Sequence, residues 1–315
     1  MIKVSVLIPV HNAEQWVAEA IKSALSQSHC SAEIIVFDDG STDNSLNVIR
    51  SFCDRIRWES GPHRGGGVAR NRLLAMARAP WVQYLDADDY LQPWKLAGQL
   101  ADLERQPDID VLYSAVAVEH YVKGGLVRRD AGIIPEPHDP WSLLALWQLP
   151  QTGGPLWRRE ALFAVGGWRE DQPCCQEHEL YFRLLVSGAR FSFTKADGAV
   201  YRRFDDGTVS TRNAALVRRE RARIEDKLEN YLEANGLLTL SRQWAINQAR
   251  FDMARSAWPE NRFEALEHHA AIRVSNKRFC PSGPSAPRLY RLAYRLFGFE
   301  RAEAFAATKR VFTRA

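Results

Sequence analysis

Apolar runs of strand length alternate with segments of helical periodicity over residues 1–115 of the chain. The runs at residues 4–8, 33–37 and 81–85 are almost continuously apolar, as the strands of a buried parallel sheet are. Between them, apolar residues recur at intervals of three and four, which predicts amphipathic helices. Repeated β-α-β units of this size predict an α/β fold, built on a mostly parallel, twisted sheet with helices on both faces.

The rest of the sequence predicts one further strand, one further helix and then a long helical region. Residues 111–117 predict one further strand, and residues 176–187 predict a helix. From about residue 213 onward the pattern is helical to residue 315. We therefore place a boundary near residue 212, with an α/β domain at 1–212 and a C-terminal helical region at 213–315.

Two acidic clusters follow directly after predicted strands. Asp38-Asp39 follows the strand at 33–37, and Asp86-Ala87-Asp88 follows the strand at 81–85. In open parallel sheets, ligands bind at the carboxyl ends of the strands. Both clusters are therefore predicted to lie at the ligand-binding edge of the sheet.

The turn Asp86-Ala87-Asp88 has two interpretations. Its two carboxylates can hold a hard divalent cation, Mg²⁺ or Mn²⁺, which bridges the phosphate oxygens of a substrate and neutralises a nucleoside diphosphate as it leaves. The alternative is an acidic turn that caps the helix beginning near Pro93. Because a bare D-x-D pattern is common, its context has to decide between the two.

Three features near the first cluster suit nucleotide binding. A carboxylate at Asp38 or Asp39 can accept the imino N–H of a uracil or guanine ring, although an Asx-type turn before a helix is the alternative. Gly65-Gly66-Gly67 allows the backbone to pass close to a ligand or to the sheet. Arg70 can reach a phosphate oxygen, and an exposed surface arginine is the common alternative.

The bulk composition excludes several classes of protein. A net charge of +4 over 315 residues is too small and too diffuse for nucleic-acid binding. None of the five cysteines falls in a C-x-x-C spacing, which favours reduced thiols in the cytoplasm. No apolar run approaches the ~20 residues of a spanning helix. The sequence predicts a cytoplasmic protein, soluble or peripheral at the inner face of the membrane.

Four sequence blocks, in order and spacing, resemble those of the family 2 glycosyltransferases. The blocks are residues 4–12 (VSVLIPVHN), 36–43 (VFDDGSTD), 69–71 (ARN) and 84–89 (YLDADD). The resemblance covers about the first 210 residues and implies the GT-A fold, inversion at the anomeric carbon and a requirement for Mg²⁺ or Mn²⁺. It also implies that Pro9, Val10 and Asp39 contact the nucleoside, and that Asp86 and Asp88 serve the metal and the donor.

A later block of the family resembles Gln176-Glu177-His178-Glu179 and the Arg183 that follows. The resemblance implies that Glu177 occupies the position of the catalytic base, with Glu where the family has Asp. Glu177 and Glu179 lie about 200° apart around a helix, so they cannot both face one cleft. Glu179 and Arg183 have the i, i+4 spacing of a helix ion pair. We therefore assign the base to Glu177.

Near the end of the chain, leucines and arginines alternate in the pattern of a basic amphipathic helix. Leu289, Leu292 and Leu296 share one face, and arginines at 288, 291 and 295 share another. The commoner interpretation is a helix packed on the catalytic domain with its arginines solvated. The alternative is a helix that lies on an anionic membrane.

The sequence thus predicts an inverting, metal-dependent glycosyltransferase that moves a sugar from a nucleotide donor to the hydroxyl of a sugar, lipid-linked or protein acceptor. The expected setting is polysaccharide biosynthesis. A UDP-sugar is favoured because uridine is the commonest donor nucleoside of the family. The alternatives are a non-catalytic nucleotide- or carbohydrate-binding protein on the same scaffold, and a polyprenyl-phosphate glycosyltransferase.

Overall fold

The computed structural model describes residues 2–122, 125–204, 213–276 and 278–312. Its strands are β1 (Val4–Val10), β2 (Ala32–Asp39), β3 (Arg57–Gly61), β4 (Trp81–Tyr84), β5 (Tyr90–Leu91), β6 (Val111–Tyr113), β7 (Val116–Val122), β8 (Gly125–Asp130), β9 (Leu156–Arg158), β10 (Phe191–Phe193) and β11 (Ala199–Phe204). Its helices are α1 (Val17–Leu25), α2 (Ser45–Arg50), α3 (Gly66–Met76), α4 (Lys95–Arg105), α5 (Pro140–Ala145), α6 (Arg159–Ala164), α7 (Gln176–Val186), α8 (Ala214–Ala234), α9 (Leu240–Ala257), α10 (Arg262–Ser275), α11 (Arg288–Phe297) and α12 (Phe299–Phe312).

The chain forms two compact units. The sheet unit comprises Met1–Pro140 and Gln148–Arg212, and the helical unit comprises Trp141–Trp147 and Asn213–Ala315. The helical unit therefore takes a short segment from the middle of the sequence as well as the C-terminal region. The predicted boundary near residue 212 lies outside the described residues and stays a prediction.

The larger sheet has the strand order β10-β6-β9-β4-β1-β2-β3. Strands β1 to β4 pair in parallel, as their alternation with helices predicts. In β1, the side chains of Val6, Leu7 and Ile8 are fully buried, because both faces of this central strand are covered. Strand β9 runs antiparallel to β4 and β6, so the sheet is mixed.

The prediction of one strand at residues 111–117 is wrong, because the chain changes sheet within it. Strand β6 belongs to the larger sheet, whereas β7 belongs to a second sheet with the order β5-β11-β7-β8. Between them, Ser114 is fully buried, and its hydroxyl lies 3.4 Å from the Gly154 carbonyl and 3.2 Å from the Gln99 amide. These polar contacts hold the break, and the apolar pattern alone does not reveal it.

The parallel pairing brings the acidic clusters to one edge. The last residue of β1, Val10, pairs with Asp38, and Asp39 pairs with Gly61 at the end of β3. On the other side of β1, Leu7 pairs with Tyr84, two residues before the second acidic cluster. The carboxyl ends of β1 to β4 therefore meet at the same edge.

The helical unit has its own core around α9. Phe251 is fully buried there and makes edge contacts with Tyr290, Tyr294 and Phe299, with ring centroids 5.6 to 6.2 Å apart. The predicted helical character of the C-terminal region is confirmed for its described residues. Among the described helices, none combines the length and the apolar character needed to cross a membrane.

Candidate active site

The side chain of Asp39 holds the loop that precedes α3. Its carboxylate is 2% exposed and accepts hydrogen bonds from the backbone N–H groups of Arg64, at 2.9 Å, and Gly65, at 2.8 Å. Gly65 has a φ of 96°, a conformation that glycine adopts without a steric cost. The carboxylate of Asp39 is therefore largely occupied by its own backbone, and it fixes where α3 begins.

Two histidines flank Asp39 at the edge of the sheet. The rings of His11 and His63 stack with centroids 3.9 Å apart, and each Nδ1 lies 2.9 to 3.1 Å from the Asp39 carbonyl oxygen. With the Asp39 carboxylate they form a group that is compact enough to hold a metal ion. Hydrogen bonds from N–H to the carbonyl already explain this geometry. Sequence reasoning missed His63, although it follows the end of β3 just as His11 follows β1.

The other residues expected at the nucleoside differ in what they expose. The side chain of Val10 is 1% exposed and belongs to the core, so this residue can meet a ligand only through its backbone. Pro9 is half-buried at the same strand end. The neighbouring Asp38 accepts hydrogen bonds from the Ser60 hydroxyl, at 2.8 Å, and the Ser41 N–H, at 3.3 Å.

Arg70 connects three parts of the site from the middle of α3. Its guanidinium donates to Asp86 at 2.8 Å and to the side-chain oxygen of Gln176 at 2.8 Å, and it lies 4.8 Å from the ring centre of Trp168. Burial alone lowers the pKa of Arg70, but the charges of Asp86 and Glu177 raise it above its ordinary value. The side chain stays a cation between carboxylates, and in this state it is not free to act as an exposed arginine.

The turn after β4 gathers three carboxylates within four residues. Burial, and then the charge of Asp86, raise the pKa of Asp88 to about 6. Asp89 is buried and accepts a hydrogen bond from the Arg202 N–H at 2.8 Å, and burial with its two acidic neighbours raises its pKa well above the usual range. The Asp88 carboxylate thus lies half-buried beside like charge. A divalent cation relieves that repulsion, so the donor set fits Mg²⁺ or Mn²⁺.

Arg202 has a structural role at the back of this turn. Its side chain is 4% exposed, lies 2.7 Å from a carboxylate oxygen of Glu19 and donates to the Asp88 carbonyl at 3.3 Å. Its guanidinium also stacks 4.6 Å from the ring centre of Tyr90. These contacts fix the backbone that presents Asp88.

Glu177 lies in the first turn of α7, next to the glutamine that binds Arg70. Its carboxylate accepts a hydrogen bond from the buried hydroxyl of Thr152 at 2.6 Å. The helix begins after Cys175, whose φ of 59° is in the left-handed region, an unusual conformation for a residue other than glycine. Sequence reasoning missed Thr152, because the contact joins a loop to a helix 25 residues away.

Glu179 and Arg183 form the ion pair that their spacing predicts. The side chains lie 2.8 Å apart, and the carboxylate of Glu179 is buried. Arg183 also donates to the Val165 carbonyl. This confirmed pair gives Glu179 a structural role on the opposite side of α7 from Glu177.

The chain is similar in sequence to several known proteins. Residues 5–137 match the family described as glycosyl transferase family 2. The chain is 40% identical over 217 residues to the succinoglycan biosynthesis protein ExoU of Rhizobium meliloti, covering 62% of this chain and 60% of that protein. It is 28% identical over 247 residues to the putative glycosyltransferase EpsE of Bacillus subtilis, covering 73% and 86%. The chain spans between 17% and 60% of the length of five of the relatives that it matches.

Two solved structures share the fold. The Staphylococcus aureus TarS fragment 1-349 in complex with UDP-GlcNAc aligns over 98% of this chain and 92% of its own, with a TM-score of 0.66 and 14% identity. The mannosyltransferase PcManGT of Pyrobaculum calidifontis, in complex with GDP-Man and Mn²⁺, aligns over 99% and 88%, with a TM-score of 0.53 and 18% identity. These likenesses confirm the expected GT-A fold, and the match to glycosyl transferase family 2 lies in residues 5–137 of the chain.

Proposed function

We propose that this protein transfers a sugar from a nucleoside diphosphate donor to an acceptor hydroxyl, with inversion at the anomeric carbon. The observation that carries the proposal is the turn after β4, at the carboxyl edge of the sheet, where the half-buried Asp88 lies two residues from Asp86 and partial burial together with the charge of Asp86 raises its pKa to about 6. Such a pair of carboxylates favours a divalent cation and, through it, a diphosphate. Asp39 lies at the same edge of the sheet and supports the assignment of the nucleoside end there.

In this proposal Asp86 and Asp88 would hold Mg²⁺ or Mn²⁺, which would supply positive charge to stabilise a departing diphosphate. Arg70 keeps Asp86 oriented and adds a positive charge beside the leaving group. The Asp39 carboxylate holds the loop before α3 against the nucleoside, together with Pro9 and the backbone of Val10. TarS in complex with UDP-GlcNAc and PcManGT in complex with GDP-Man and Mn²⁺ support a nucleotide-sugar donor, and we favour a UDP-sugar.

Glu177 is the proposed base. The Thr152 hydroxyl donates to one carboxylate oxygen and orients it, which leaves the other oxygen to take the proton of the acceptor hydroxyl. That hydroxyl then attacks the anomeric carbon from the face opposite the diphosphate, so a single displacement inverts the centre. General-base assistance of this kind is typically worth about 10²–10⁴-fold in rate. The name of ExoU, a succinoglycan biosynthesis protein, supports an acceptor in polysaccharide biosynthesis.

The first test is thermal stabilisation by UDP, GDP, dTDP and CDP, each with and without Mn²⁺. A ligand that binds the native state raises the melting temperature according to its affinity. We expect one nucleotide, UDP, to stabilise strongly and only when Mn²⁺ is present. If no nucleotide shifts the melting temperature under either condition, the transferase proposal fails and a non-catalytic scaffold remains.

The second test concerns the stereochemistry. With the sugar nucleotide that the binding test selects, NMR of the transferred or hydrolysed sugar gives the anomeric configuration before mutarotation. Inversion supports the single displacement through Glu177. Retention of configuration contradicts it and leaves the donor assignment intact, so the two parts of the proposal are separable.

A further inference from the structure

Helix α11 presents three distinct faces. Tyr290 is buried and donates a hydrogen bond to Glu303 of α12 at 2.7 Å, so this face joins the helix to the core of its unit. Leu289, Leu292 and Leu296 are 64%, 56% and 62% exposed and form a second face. The tyrosine face therefore packs α11 within its own unit, and the leucines stay exposed.

The third face is cationic. Arg288, Arg291 and Arg295 fall along one side of the helix, next to the leucines, since residues three and four apart share a face. The helix itself contains no acidic residue. Within the described part of the chain, no carboxylate pairs with any of the three arginines. Their charge is therefore available to an anionic partner.

The exposed leucines are costly in water, and the packed tyrosine face shows that the helix does not need them for folding. Three leucines in one stripe, bordered by arginines, match the composition of a helix that lies in the interface of an anionic bilayer. In that position the leucines enter the boundary between headgroups and acyl chains, and the arginines meet lipid phosphates. A protein partner of ordinary surface composition explains the leucines but not the concentration of positive charge.

We propose that α11 docks the protein on an anionic lipid surface, through Leu289, Leu292 and Leu296 and the adjacent arginines. The proposal rests on the faces of this helix and is independent of the transferase chemistry. It uses the helix in the packed form seen here, with Tyr290 holding it to its unit. The surface is therefore preformed and does not require a disordered tail to fold.

The test is co-sedimentation of the full chain with vesicles of phosphatidylcholine alone and of phosphatidylcholine mixed with phosphatidylglycerol. We expect binding to the mixed vesicles that weakens with added salt, because the Debye length falls from about 30 Å at 0.01 M to about 10 Å at 0.1 M. Equal binding to the neutral and the mixed vesicles would overturn the proposal, as would no binding to either.

Two variants separate the charge from the apolar stripe. Replacing Arg288, Arg291 and Arg295 by Gln is expected to lower the partition coefficient about 100-fold at low salt, since each cation near such a surface contributes about 1 kcal/mol. The matched control replaces three exposed lysines by Gln and removes the same net charge elsewhere. These lysines are Lys22, Lys195 and Lys227. If the control weakens binding as much as the arginine variant does, net charge rather than α11 is responsible and the proposal is wrong.

The leucine variant changes Leu292 and Leu296 to Ser, with Leu240→Ser as the control, since Leu240 is 90% exposed at the start of α9. We expect the double variant to bind mixed vesicles at least tenfold more weakly, with an unchanged melting temperature because these side chains are already in water. Size-exclusion chromatography with light scattering tests the rival occupant, a second copy of this chain. A dimer that the double variant dissociates, with unchanged vesicle binding, would overturn the proposal.

Discussion

The two acidic strand ends beside β1 differ in how their carboxylates are satisfied. At the end of β2, Asp39 accepts two backbone N–H groups and lies close to His63, so its charge is used within the protein. After β4, Asp88 lies half-buried beside Asp86, and its pKa is raised to about 6. A carboxylate that is satisfied by backbone donors positions a loop, whereas a partly buried one beside like charge is suited to a cation. Similar sequence patterns therefore meet different surroundings on the two strands that flank β1.

The largest effect is expected from Asp88→Asn. If Asp88 holds the metal, the variant loses the several kcal/mol of charge stabilisation that a metal supplies, which is roughly 10³-fold in rate. Steady-state transfer at saturating Mn²⁺ measures the effect. Asp108→Asn is the control, because the Asp108 side chain is 77% exposed. If Asp88→Asn keeps the turnover and the metal dependence of the wild-type protein, Asp88 does not hold the metal, and the contrast with Asp39 is lost.

Glu177→Gln tests whether the oriented carboxylate of α7 is the base. We expect turnover to fall by about 10²–10⁴-fold, with nucleotide affinity unchanged, because the amide keeps the shape but cannot take the proton. Glu179→Gln is the matched change two residues away. Since it breaks the buried pair with Arg183, it should lower the melting temperature and leave the turnover of the folded enzyme close to that of wild type. Near-normal transfer by Glu177→Gln would contradict the assignment.

Asp39→Asn is expected to damage the fold and binding together. The amide group replaces one acceptor oxygen, so the N–H of Arg64 or Gly65 is left without its partner, at a cost of about 1–3 kcal/mol. Both the melting temperature and the affinity for the nucleotide should fall, as calorimetry and titration would measure. Asp54→Asn, an exposed acid elsewhere in the same unit, should change neither. If Asp39→Asn lowers the affinity for the nucleotide but not the melting temperature, the conformation of the loop does not depend on this carboxylate.

The smallest effect concerns the pH dependence of stability without metal. Because the pKa of Asp88 is raised to about 6, the folded protein binds this proton more tightly than the unfolded chain, whose Asp pKa is about 3.9. The free energy of unfolding therefore falls as pH rises through this window, by at most about 1.4 kcal/mol per pH unit. The melting temperature of Asp88→Asn relative to wild type should rise from pH 4 to pH 6 and then stay level. A constant difference in melting temperature across that range would mean that the pKa of Asp88 is not raised in the folded protein.

The sequence predicted the parts of this molecule that depend on local pattern. Alternating β and α segments predicted the parallel core, and the positions of Asp39 and Asp86 after strands predicted that they share an edge. The i, i+4 spacing predicted the pair of Glu179 and Arg183. Each of these rests on short-range periodicity, which a single sequence displays.

The parts that the sequence did not predict depend on contacts between distant segments. Where the chain passes from the larger sheet to the second, Ser114 finds buried polar partners on α4 and beside β9, and no periodicity reports that. The same holds for Thr152, which orients Glu177 across a loop, and for the use of the Asp39 carboxylate by the backbone of residues 64 and 65. Pattern shows where a polar side chain lies along an element, and only packing shows what it meets.

The segment Trp141–Trp147 bears on how this chain can be made. It belongs to the helical unit, where Trp141 stacks on Tyr231 with ring centroids 5.5 Å apart and the Trp147 ring N–H donates to Glu225 at 3.3 Å. A ribosome adds about 5–20 residues per second, and all of 148–212 is synthesised between this segment and its partners. The side chains of Trp141 and Trp147 therefore have no partners during that interval. A chain that ends at residue 212 lacks those partners altogether. The two units are thus interleaved in the order of translation, and no single cut separates them.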